Sequence, residues 1–87
     1  MKGYTIHRLR ACDGKNELGQ TWDESLQECT ESCNSNESCL SFEYAQNHYN
    51  NGRSLCQLSS SCKEEDAVDA TADGFTLYVK VVEKGNL

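Results

Sequence analysis

Six cysteines, Cys12, Cys29, Cys33, Cys39, Cys56 and Cys62, stand in a chain of 87 residues. An even number of cysteines in a chain this short is the pattern of a disulfide framework, and such frameworks persist in oxidising compartments. The competing chemistry is zinc, which needs two separated knuckles of closely spaced Cys pairs. Cys29-x3-Cys33 would serve as one knuckle, but Cys56-x5-Cys62 is too loose for the other. Three disulfides are therefore expected, with no metal and no other cofactor. Composition makes the crosslinks necessary. Leu, Ile, Val and Phe together number 15 and the formal charge is −6, a balance typical of chains that cannot bury enough apolar surface to fold. The length suits a single domain, 1–87, with its core at about 4–82.

The same arithmetic excludes several function classes. The longest apolar run, Tyr78 to Val82, is interrupted by Lys80 and falls far short of the roughly 20 residues of a membrane span, so no membrane insertion is expected. Acidic residues outnumber basic ones 14 to 8, and the one basic cluster is His7, Arg8 and Arg10. Nucleic acids and other polyanions need more. Met1 and Lys2 lead into polar residues rather than the apolar core of a secretory signal, and flanking domains are expected in the native precursor.

Periodicity places the elements. Tyr4–Arg10 alternates and reads as a half-buried first strand. Cys12–Gly19 carries turn chemistry. Thr21-Trp22-Asp23-Glu24 has the form of a capping box and is expected to open a helix; Leu26, Cys29, Thr30 and Cys33 form its buried stripe, and Asn34-Ser35-Asn36 ends it. Cys39–Ala45 alternates, with Leu40, Phe42 and Tyr44 on one face. Gln46–Arg53 is a polar connection with an Asn51-Gly52 turn signal, and Ser54–Ser59 is the return strand. Ser60–Gly74 is an acidic loop with one helical turn expected at Glu65–Ala70. Phe75–Val82 is the clearest strand, and the last five residues are expected to fray.

The helix restricts the bridges. Cys29 and Cys33 point the same way from one helical face, so bonding them to each other would strain the disulfide. That leaves 12 of the 15 connectivities of six cysteines. Among them, Cys33–Cys39 staples the helix-to-strand turn and Cys29–Cys56 pins the helix across the hairpin. Cys12–Cys62 then follows by elimination.

The stretch ECTESCNSNESCLSFEYAQNHYNNGRSLCQL resembles the core of PAN/apple domains: a helix with Cys-x3-Cys, then Cys-x2-Phe-x-Tyr, a turn, and Cys-x-Leu. Leu77-Tyr78-Val79-Lys80 is similar to the closing strand of that family. The resemblance implies an α+β fold in which one helix packs across an antiparallel sheet of about five strands. It implies helix-to-strand bridges matching Cys29–Cys56 and Cys33–Cys39. The family's outer bridge joins the two ends of the domain, a position that Cys12 and Cys62 do not match. The resemblance also implies an extracellular, non-catalytic module that binds a protein or a carbohydrate, as in adhesive and receptor proteins.

Candidate sites follow from residue chemistry. Catalysis is not expected, because six bridged cysteines leave no free thiol and a small stapled domain seldom encloses a cleft. His48, Tyr49 and Arg53, in the hairpin connection, combine ring, phenol and guanidinium groups in the manner of a binding loop. Trp22 is expected to staple the start of the helix near Leu26, and Tyr44 and Tyr78 to cover the sheet. The acidic group Glu64, Glu65, Asp66, Asp69 and Asp73 lacks the ligand spacing of a calcium loop. Asn36-Glu37-Ser38 is an N-glycosylation sequon. A protein ligand is favoured over a glycan, since no aromatic platform stands out. The alternative is a free-standing secreted effector or inhibitor.

Overall fold

A computed structural model describes residues 3–81. Five strands form one antiparallel sheet: β1 (Tyr4–Arg8), β3 (Gly19–Trp22), β4 (Ser41–Ala45), β5 (Leu55–Ser59) and β7 (Thr76–Lys80), in the order β1-β7-β4-β5-β3. A two-stranded ribbon pairs β2 (Arg10–Ala11) with β6 (Val68–Asp69). The one α-helix of the described residues, α1 (Leu26–Asn34), lies across β4 and β5. This is the α+β architecture of one helix on a five-stranded antiparallel sheet.

β4 sits at the centre of the sheet, paired with β7 on one side and β5 on the other. Both of its faces are covered, because side chains alternate along a strand. On the helix side, Phe42 stacks on Tyr78 at 4.7 Å and meets the edge of Tyr4 at 5.2 Å. Cys29, Cys33, Cys39 and Cys56 complete this cluster, with Leu26 and Tyr44 packed against it. On the far side lie two smaller clusters. One joins Cys12 and Cys62 to Leu77; the other joins Ala11, Ala45, Leu55, Ala70 and Phe75.

Three bridges tie these layers together: Cys29–Cys56 runs from helix to β5, Cys33–Cys39 closes the turn after the helix, and Cys12–Cys62 crosses the far side. Their Cα separations, 5.8, 5.3 and 5.9 Å in that order, lie in the range that disulfides span. Lys80 does more than interrupt an apolar run. Its ammonium donates to the Cys33 carbonyl at 2.8 Å, supplying a cation to the last turn of the helix, where carbonyls lack partners.

The expected elements differ from the structure in five places. The helix begins at Leu26, capped by Ser25 and Glu28 instead of Thr21 and Glu24. Thr21 and Trp22 belong to β3, a strand that Gly19–Trp22 forms by pairing with β5. The first strand stops at Arg8, because Leu9 adopts φ 57° and redirects the chain into β2. In the acidic loop the helical turn is a 3-10 turn at Glu64–Asp66, and Val68–Asp69 is extended. The closing strand is Thr76–Lys80; Val82 and the last five residues lie outside the described residues.

Candidate functional site

The hairpin connection between β4 and β5 is folded onto the body of the domain. A 3-10 turn spans His48–Asn50, with Tyr49 at φ 53°. The Asn47 side chain accepts from the Gly52 amide at 2.7 Å, and the Asn51 side chain accepts from the Arg53 amide at 2.8 Å. These short-range bonds are the means by which Asn organises a turn.

The three loop candidates take different positions. The His48 ring sits among Tyr49, Phe75 and Trp22, at 4.5, 5.1 and 5.6 Å. It is a packing residue, and its Nδ1 is buried without a hydrogen-bond partner. Arg53 makes two hydrogen bonds to the Asp23 carboxylate, at 2.8 and 3.1 Å, and lies 4.8 Å over the Trp22 ring. This pairing holds the Asp23 carboxyl below its ordinary range. Tyr49 stays 60% exposed, and the neighbouring Asp73 carboxylate pushes its pKa up. Trp22 corrects an expectation. It packs on the far-side cluster with Ala45, Leu55 and Phe75, so it braces the loop through His48 and Arg53 and does not staple the helix near Leu26. Tyr44 and Tyr78 do cover the sheet, and the Tyr44 hydroxyl donates to the Glu24 carbonyl at 2.7 Å.

Beside Tyr49 opens a groove of about 450 Å³, lined among others by Asp13, Glu43, Asp69, Asp73 and Phe75. His48 and Tyr49 reach it and Arg53 does not. At its base is Glu43, on the central strand and only 2% exposed. The Cys12 amide donates to Glu43 Oε2 at 2.5 Å, and the Cys62 sulfur lies 3.8 Å from the same oxygen. Burial raises the Glu43 pKa from 4.5 to about 7, against the Cys12 hydrogen bond, and the charges of Asp73 and Asp13 push the same way. In the sequence Glu43 falls on the face opposite Leu40, Phe42 and Tyr44, and the alternation does not mark it as buried. The layer that carries Cys12–Cys62 covers it on the far side. The nearest sequence signal is the small residues flanking it on the same face, Ser41 and Ala45, which suit a covered surface.

The remaining candidates are distributed elsewhere. Glu64 pairs with His7 at 3.4 Å and Asp66 with Lys15 at 3.3 Å. Asp69 accepts from the Thr71 hydroxyl at 2.7 Å. Among the described residues, the one group of three close potential metal ligands is Cys12, Glu43 and Cys62, and its two sulfurs are bonded to each other. Asn36 lies in the Cys33–Cys39 loop, where its side-chain oxygen accepts from the Ser38 amide at 2.9 Å.

The family model of the PAN domain matches residues 4–82 of the 87. The chain belongs to the PAN domain family. Members are typically extracellular modules that bind proteins or carbohydrates, and they are generally non-catalytic; three disulfides suit that setting. No curated protein matches this PAN domain, and no solved structure does. Among its described residues, no helix is long and apolar enough to cross a membrane.

Proposed function

We propose that this PAN domain is a non-catalytic extracellular recognition module for a protein ligand, one part of a larger adhesive or receptor protein. Its contact surface is the 46–54 loop together with the groove beside it. The observation that carries this reading is Tyr49, a large ring held mostly exposed at a left-handed backbone position. A non-glycine residue in that conformation costs about 1–3 kcal/mol, and such positions cluster at binding sites. Trp22, His48 and the Arg53–Asp23 pair hold the loop in place before any ligand arrives, which lowers the ordering cost of binding. Exposed aromatic anchors beside polar groups are also the residues that dominate protein interfaces.

The test presents the domain to an array of extracellular proteins and to a glycan array, alongside a variant with His48, Tyr49 and Arg53 replaced together by alanine. Binding to a protein that the triple variant weakens by at least about tenfold supports the reading. Binding confined to glycans overturns the choice of a protein ligand. Undiminished binding by a folded triple variant removes the loop.

A further inference from the structure

The groove beneath Tyr49 holds one feature that its neighbours do not explain. Glu43 Oε2 is engaged by the Cys12 amide, yet no hydrogen bond among the described residues reaches Oε1. Glu43 lines the groove, and its side chain is nearly inaccessible. The charged groups around it are acidic: Asp13 and Asp73 act on Glu43 directly, and Asp69 joins them on the groove wall. No cation of the described residues pairs with Glu43. A buried carboxylate with one empty oxygen, facing further carboxylates, lacks a positive partner.

The geometry selects the kind of cation. Calcium takes six to eight oxygens at about 2.3–2.6 Å, and no three carboxylates of the described residues converge on one point. The charges are spread around a space large enough for an organic group. A guanidinium binds best by a two-pronged contact with both oxygens of one carboxylate, and here the Cys12 amide occupies one of them. An ammonium is a point charge that a single oxygen satisfies. The exposed ring of Tyr49 on the wall offers apolar and π surface to an alkyl stem.

We infer that the groove receives a lysine side chain from the protein ligand, its ammonium on Glu43 Oε1 and its stem against the exposed ring of Tyr49. This inference rests on the reading of the domain as a protein-recognition module and names the chemistry its ligand must present. The net charge of −6 favours a basic partner at longer range as well.

The test is an amide-shift titration of the 15N-labelled domain at pH 8 with Nα-acetyl-lysine methylamide, run beside the arginine and norleucine analogues and calcium chloride. Saturable shifts at Cys12, Asp13 and Asp73 are expected with the lysine compound. The Glu43→Gln variant should bind it at least about tenfold more weakly, and Asp73→Asn should weaken it to a smaller extent. Equal binding of norleucine or arginine overturns the inference, as does calcium saturating these amides while lysine leaves them unmoved. Asp73→Asn keeps the test open should Glu43→Gln fail to fold, since unchanged affinity in both folded variants, or in Asp73→Asn alone, also overturns it. A protein ligand that Glu43→Gln still binds at full affinity would overturn the lysine groove and leave the recognition module standing.

Discussion

Glu43 is where the chemistry of a single residue departs furthest from its behaviour in water. Burial favours its neutral form, raising the pKa from 4.5 to about 7. Below about pH 4.5 the group is protonated in folded and unfolded chains alike, and the fold keeps the full benefit of a neutral group. Between 4.5 and 7 the unfolded chain releases the proton while the folded chain retains it, so stability falls, by roughly 3 kcal/mol in all, and levels off above 7. Asp23 and Glu17 act in the opposite sense. Arg53 holds the Asp23 carboxyl down, and the Ser60 hydroxyl and amide hold the Glu17 carboxyl down, so their contributions are intact above the ordinary carboxylate range and are lost as pH falls below it through the depressed folded values. Thermal melts should show wild-type stability declining from pH 5 to 7.5. Glu43→Gln should remove that slope and melt higher than wild type at pH 8. A parallel decline in the variant would assign the slope to another group. Higher stability with a weaker ligand contact is the trade expected of a residue kept for binding.

Among the elements, the helix start shows how two copies of one local signal are resolved. Thr21-x-x-Glu24 and Ser25-x-x-Glu28 both have the capping-box form, and Ser25 carries it, accepting from the Glu28 amide at 3.1 Å while Glu28 accepts from the Ser25 amide at 2.8 Å. Thr21 is unavailable because its backbone is paired opposite Cys56 in the sheet. Asp23, at φ 66°, turns the chain between strand and helix, and the Glu24 carbonyl is held by the hydroxyls of Tyr44 and Ser54. Ser25→Ala should cost about 1 kcal/mol in urea denaturation, and Thr21→Ala, at an exposed strand position, within about 0.5 kcal/mol. The reverse order would place the cap at Thr21. The buried stripe of the helix and the β4–β5 hairpin were legible because their apolar spacing is regular. Strand β3 was not, since Gly19-Gln20-Thr21-Trp22 has no apolar alternation and becomes a strand only through the ladder β5 offers. The ribbon β2–β6 was hidden for the same reason: two-residue strands carry no period.

Across the whole molecule, the bridges nest: Cys33–Cys39 within Cys29–Cys56 within Cys12–Cys62, closing loops with sequence separations of 6, 27 and 50. The entropy that a crosslink removes from the unfolded chain grows with the loop it closes. Replacing Cys12 and Cys62 by alanine should therefore cost about 3–4 kcal/mol and replacing Cys33 and Cys39 about 2 kcal/mol, measured by urea denaturation. Full reduction should unfold the domain; a reduced sample retaining dispersed amide resonances would show that the aliphatic core suffices alone. The sequence by itself determined the crosslinked class of this protein, its helix stripe, its central hairpin and its PAN-like core, because cysteine spacing and apolar period are local properties. It also offered the loop carrying Tyr49 as a candidate site. Only the tertiary structure decided that Arg53 is occupied by Asp23, that Trp22 braces the loop, and that Glu43 lies at the base of an acidic groove. Each depends on which layer covers which face of the sheet, and the far-side layer is built from short irregular segments and one long-range disulfide, contacts that no local pattern encodes.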